Sequence, residues 1–155
     1  MTDPVRVGPA TVVIEAFDVR SEPAIPLFSY ELPFEEGLDV QDFLERAFTY
    51  AQNADNKEPF VFSLRFYGYD YSRILGYPRT GFLGYEIESI GKGKVVLQSS
   101  STAYWELFID EQPASLGSDL LCPEPGAHVA WKFVPMTDNA PKSLRSTLAR
   151  ALPKP

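Results

Sequence analysis

Residues 102–117 read TAYWELFIDEQPASLG, and their reading decides what kind of fold the chain can have. The first part is dense in aromatic and branched side chains, which fit a pleated, half-buried strand. Asp110, Glu111 and Gln112 follow as a tight turn. A short return strand then leads into the small-residue loop Pro113, Ala114, Ser115, Leu116 and Gly117. The strand sets Tyr104 and Trp105 next to one another in sequence. Tyr104 and the Leu107/Ile109 alternation read as structural, whereas Trp105 and the loop are candidates to face a ligand or partner.

Working outward, the rest of the chain supplies more strands and one helix. Residues 11–17 (TVVIEAF) are β-branched and read as the first strand, with Val13, Glu15 and Phe17 on one face and Val12, Ile14 and Ala16 on the other. Two prolines, Pro23 and Pro26, interrupt it before residues 27–33 return as a hairpin partner ending at Pro33. Val40, Phe43, Leu44, Ala47, Phe48 and Ala51 recur at three- and four-residue spacing, which predicts an amphipathic helix over residues 40–53. Asp39 is its expected N-cap, with Asp42 three residues on as a capping-box partner.

Beyond the helix, residues 60–71 read as a long strand, and residues 67–81, rich in Tyr and Gly, as a hairpin tip or a flap. Residues 82–90 predict a further strand closed by Gly91, Lys92, Gly93 and Lys94, and residues 95–97 a short apolar one. Residues 128–134 (HVAWKFV) predict the last strand. This order packs most simply as one sheet wrapped across one helix: an α+β, β-grasp-like mixed sheet on a main helix. The domain is expected over residues 11–135, with a loose arm over 1–10 and a basic tail over 136–155.

Charge narrows the function. The net charge of −7 repels phosphate backbones, so no nucleic-acid partner is expected. The charge is uneven: residues 139–155 hold Lys142, Arg145, Arg150 and Lys154 and no acid. An acidic body with such a tail suggests protein contacts or self-contact, the plain alternative being a solvated tail. Leu144, Leu148 and Leu152, between Pro141 and Pro153, have the spacing of a short amphipathic helix. No apolar run approaches the ~20 residues that span a bilayer. The start, MTDPVRVGPA, lacks the basic and apolar regions of a signal peptide.

Catalytic and metal motifs are sparse. Cys122 is the only cysteine and His128 the only histidine, so a Cys–His dyad is the one nucleophilic arrangement to consider, against unrelated turn residues. Glu86 and Glu88 read as a solvated strand face. The strongest binding signal is aromatic: Tyr69, Tyr71, Tyr77 and Tyr85, with Trp105, offer large contact area with polar tips.

Four segments together resemble a known family. They are Gly84–Tyr85 with Ser89–Ile90–Gly91, then Tyr104–Trp105, then Pro113 to Gly117, then Pro125–Gly126–Ala127 before the last strand. They are similar to the DUF4430 group, related to the C-terminal domain of transcobalamin and intrinsic factor. The resemblance covers residues 11–134 and implies a β-grasp fold and a non-enzymatic binding module. It implies a small, corrinoid-like ligand such as cobalamin, or a protein partner, met by Tyr69, Tyr71, Tyr77, Tyr85, Trp105, Pro113, Ser115, Leu116 and Gly117. In that family a large helical domain completes the grip on cobalamin, and this chain is not expected to make the two-sided grip alone. Where the family has Asn-Gly and Asp-Gly-Asp turns, this chain has Asp110–Glu111–Gln112 and Pro125–Gly126–Ala127, sequences expected to take positive φ less easily. The alternative is an adaptor or inhibitor-like protein acting through a sheet edge or the basic tail.

Overall fold

The computed structural model describes residues 10–53, 59–66, 84–114 and 116–136. They form a mixed α+β fold of one helix and two sheets, mostly strand. The strands are β1 (Thr11–Asp18), β2 (Ile25–Pro33), β3 (Phe60–Phe66), β4 (Tyr85–Lys92), β5 (Val95–Gln98), β6 (Ala103–Ile109), β7 (Gln112–Pro113) and β8 (His128–Pro135), with α1 (Val40–Asn53) between β2 and β3. The expected single sheet is corrected: one sheet runs β2-β1-β8-β6-β7, and a second runs β3-β4-β5.

At the centre of the larger sheet β1 and β8 run parallel, Val13 opposite His128 and Asp18 opposite Phe133. β2 adds antiparallel to β1, with a bulge at Ala16/Phe17. β6 adds antiparallel to β8, Trp105 opposite Phe133 and Leu107 opposite Trp131. Alternation along each strand then sorts the side chains. Val12, Ile14, Ala16, Trp105, Leu107, Val129, Trp131 and Phe133 join the core cluster. Val13, Glu15, Phe17, Tyr104, Glu106, Phe108, Ala130, Lys132 and Val134 fall on the opposite, outer face.

The helix brings five side chains to the same core: Val40, Phe43, Leu44, Ala47 and Ala51. Its start is fixed as the sequence predicts. The Asp42 N–H donates to Asp39 Oδ1 at 2.7 Å, and the Asp39 N–H donates to Asp42 Oδ2 at 3.0 Å. Two further unpaired N–H groups of the first turn are met from a distant loop. Val40 N–H donates to the Leu121 carbonyl at 2.8 Å and Gln41 N–H to the Ser118 carbonyl at 2.9 Å.

Two seams join the sheets. On one side, the Phe28 and Phe60 rings stack at 4.1 Å, and Phe48 of the helix meets Phe60 and Phe62 edge-on. On the other, Trp105 Nε1 donates to the Leu97 carbonyl at 2.8 Å and its backbone N–H to Ser99 Oγ at 3.1 Å. Burying side chains of this size contributes about 1.5–3 kcal/mol each, so the seams are part of the core.

Several boundaries differ from expectation. β4 begins at Tyr85 and runs on to Lys92, so Gly91 and Lys92 lie in the strand, and the turn centres on Gly93 at φ 61°. The expected tyrosine-rich strand end and flap, 67–81, and the first two residues of the expected 82–90 strand lie outside the described residues, as does the tail from 137 onward. Both altered turns still take positive φ. Asp110 and Glu111 stand at 50° and 70°, and Gly126 at 85°. At the first turn, Asp110 closes the strain locally: its Oδ1 accepts the His128 N–H at 2.9 Å, and its own N–H donates to the His128 carbonyl at 2.8 Å.

Candidate functional site

The expected site residues separate in space. Trp105 does not face solvent: it is 4% exposed, in the core, with its ring 5.0 Å from Phe133 and its indole N–H bound to Leu97. Its parity with Leu107 and Ile109 along β6 was the signal for this. Pro113 is exposed in β7, and the adjoining Ala114 N–H returns to the Leu107 carbonyl at 2.8 Å. Tyr69, Tyr71, Tyr77 and Ser115 lie outside the described residues.

Tyr85, Leu116 and Gly117 belong to one structure, a loop clasp at the start of β4. Tyr85 N–H donates to Asp119 Oδ1 at 2.8 Å, and its carbonyl accepts from Ser118 N–H at 2.9 Å and Ser118 Oγ at 3.1 Å. Leu116 is half-buried, while Gly117 and Ser118 are buried. The preceding Gly84 sits at φ 81°, and a Cβ there would stand 2.5 Å from Asp119 Oδ1. The same loop caps the helix, so most of its polar groups are already engaged. The Tyr85 ring lies 4.8 Å from that of Phe66 and remains half-exposed at the rim of the clasp.

Three carboxylates gather where β4, β6 and the clasp meet. Burial pushes Glu86 from its ordinary 4.5 up to about 8, helped by the negative charges of Asp119 and Glu106. The expectation of a solvated Glu86/Glu88 face is therefore corrected: both are half-buried, Glu86 near Asp119 and Glu106, and Glu88 with Arg65 Nη1 3.4 Å from its Oε1. Glu106 is also raised by burial, opposed by the Tyr104 hydroxyl and the Lys132 charge. Burial and the Glu106 carboxylate push Tyr104 up to about 12. Among the described residues no group of His, Cys, Asp and Glu is arranged to hold a metal ion.

His128 is engaged elsewhere. Its Nε2 lies 3.0 Å from Glu15 Oε2 across the parallel β1/β8 pair, an arrangement that gives it an acid partner. Cys122 is exposed and free. A groove of about 610 Å³ follows the outer side of α1, lined by Leu38, Asp42, Glu45, Arg46, Tyr50 and neighbours. Its lining sets the charged Asp42, Glu45 and Arg46 beside the apolar surface of Leu38 and the Tyr50 ring.

The surface that sequence reasoning missed lies on the three-stranded sheet. Val61, Gly91 and Val96 are in register across β3, β4 and β5. Val61 is 53% and Val96 62% exposed, and Val95 and Phe66 are exposed nearby. The valines close over the glycine: a Cβ on Gly91 would meet Val61 Cγ2 at 3.1 Å and Val96 Cγ2 at 3.2 Å. Next in register, the Ser63 and Ser89 hydroxyls share a hydrogen bond of 2.6 Å. β3 has no strand on its other side among the described residues. The only hint in the sequence was the run Val95–Val96–Leu97, apolar on both faces of a short strand.

Among the described residues no helix is long and apolar enough to cross a membrane. The chain matches no family model and no curated protein.

Proposed function

We propose that this chain is a non-enzymatic binding module of β-grasp type, similar to the DUF4430 group, that engages a protein partner through its three-stranded sheet. The family reading is supported by the hairpin–helix order and by first and last strands that run parallel at the sheet centre. The observation that carries the function is the Val61–Gly91–Val96 plate beside the edge of β3, which no strand covers among the described residues. Soluble chains rarely leave contiguous apolar surface without a use for it. An exposed edge offers main-chain donors and acceptors to an extended segment, and side-chain contacts beside it give selectivity. The matching partner presents an extended segment with small apolar side chains and an exposed backbone.

The test compares the wild-type chain with Val61→Glu/Val96→Glu. The partner retained by the wild type should be lost from the double variant, and its binding should slow amide exchange in β3. Retention by the double variant, or protection elsewhere with β3 unchanged, would overturn the reading.

A second reading, a small ligand at the clasp, is favoured by one observation: the half-exposed Tyr85 ring at its rim. A corrin ring fits poorly, because Trp105 is buried and the Tyr85 ring already meets Phe66. A ligand held there raises the melting temperature by linkage, and Tyr85→Ala should remove the rise. A panel that includes corrinoids and gives no shift would discard this reading.

A further inference from the structure

The clasp at the start of β4 ties that strand to the helix through hydrogen bonds that belong to neither element's own ladder. The Ser118 and Leu121 carbonyls hold the first turn of α1 through the Gln41 and Val40 N–H groups. Ser118 N–H and Oγ hold the Tyr85 carbonyl, and Asp119 Oδ1 holds the Tyr85 N–H. Leu120 N–H closes the loop on the Gly117 carbonyl at 3.0 Å. One short loop, residues 117–121, thus carries the whole connection.

Glu86 follows Tyr85 directly, and its carboxyl lies near Asp119 of this loop and Glu106 of β6. At the helix end, burial raises Asp39, the backbone hydrogen bond from Asp42 opposes it, and the charges of Asp42 and Asp119 add to it. Acids on both elements that the loop joins therefore feel Asp119. The basic groups nearby are engaged with other partners. Arg65, opposite Glu86 in the β3/β4 pairing, lies 3.4 Å from Glu88. Lys132, opposite Glu106 in the β6/β8 pairing, holds its ammonium 4.5 Å from the Phe108 ring centre and lowers Glu106. The Tyr104 hydroxyl donates to Glu106 at 3.3 Å.

A charge on Glu86 is costly in this half-buried place beside two like charges. Glu86 and Glu106 are fixed by strand ladders, β4 on β3 and β6 on β8. Asp119 sits in the loop, so the loop is the part that gives way. We propose that residues 117–121 form a latch controlled by the Glu86 proton: shut while Glu86 is neutral, and released from Tyr85 and from the first turn of α1 once Glu86 is charged. The shut clasp holds the proton, and an open clasp returns the carboxyl to water and its ordinary 4.5. Rising pH therefore favours opening between 4.5 and about 8, and no further above that. Release unties β4 from the helix and bares N–H groups of the first helical turn. The latch does not depend on the three-stranded sheet proposed to bind a partner.

The test follows the backbone carbonyl-carbon signals of the full chain across this pH range. Ser118 and Leu121 are the informative acceptors, because their hydrogen bonds run to the helix and not to β4. Both should shift together, with one midpoint near pH 8, while Val129 and Trp131 stay fixed. Glu86→Gln should hold both at their low-pH positions throughout. Glu106→Gln should keep the transition and move its midpoint to lower pH. Movement of Tyr85 and Glu86 alone means that Glu86 titrates inside a shut clasp, and overturns the latch. So does an unchanged transition in Glu86→Gln, or an unmoved midpoint in Glu106→Gln. Simultaneous movement of Val129 and Trp131 also overturns it, because the whole domain is then unfolding.

Discussion

In the five-stranded sheet, Ile14, Val129 and Trp131 are sealed against the core, and the β2 edge carries Pro26 and Pro33 and a bulge. In the three-stranded sheet, Phe60 and Ile90 face the same core, yet Val61, Val95 and Val96 are more than half exposed, and β3 has no proline. Prolines and bulges on an edge strand prevent stray pairing. One sheet is thus guarded, and the other has a bulge at Ser63/Leu64 but leaves its apolar plate open. The difference separates stability from recognition. Residues that hold the fold concentrate in the first sheet and its seams, and exposed apolar side chains such as Val61 and Val96 concentrate on the second.

The largest effect expected from this contrast is at the centre of the guarded sheet. Trp131→Ala should cost about 3–5 kcal/mol of unfolding free energy, measured by denaturant titration, against less than about 0.5 kcal/mol for Val96→Ala on the open plate. Equal costs would erase the distinction. The Trp131 indole N–H is buried without a partner, so Trp131→Phe should cost less than lost ring area alone implies, since it removes an unsatisfied donor.

Next comes the clasp between the sheets. Gly84→Ala combines a residue at φ 81° with a Cβ 2.5 Å from Asp119 Oδ1, and should lower stability by about 2–3 kcal/mol. A normal melting temperature would mean that the clasp moves freely and does not tie β4 to the helix.

The carboxylate cluster sharpens the comparison through pH. Glu86 titrates higher folded than unfolded, so between 4.5 and about 8 the folded chain holds the extra proton. Its contribution is fully present below 4.5 and is lost as pH rises toward 8, at up to roughly 1.4 kcal/mol per pH unit. Asp18, held below its ordinary value by Arg20, acts in the opposite sense but below pH 3.8, outside this window. Glu86→Gln should flatten the decline in melting temperature between pH 5 and pH 8; an unchanged slope would remove Glu86 as its cause.

The smallest effect is at the β6/β7 turn. Glu111 sits at φ 70°, a conformation glycine takes freely and other residues do not. Glu111→Gly should raise stability by about 1 kcal/mol. No gain would mean that the Asp110–His128 hydrogen bonds already offset the strain.

The helix was legible almost to the residue because its information is local: apolar spacing, the Asp39/Asp42 pair and the polar residues after Asn53. The first hairpin and last strand were legible for the same reason. On β6 the sequence is apolar at Ala103, Tyr104 and Trp105 in succession, so composition there did not say which side turned inward. Parity with Leu107 and Ile109 carried the information, but the expectation set Trp105 toward a ligand, and only the structure put it in the core. The clasp joins residues 34 apart in sequence, Tyr85 and Asp119, and no local pattern marks it.

The sequence by itself determined the elements, their order and the uneven charge, because propensity, periodicity and capping act within a few residues. Tertiary structure alone decided that the sheet divides in two, that Glu86 meets other acids, and that Val61 and Val96 close over Gly91. Each depends on strand register and on contacts between distant segments, where a shift of one residue would turn every side chain to the other face.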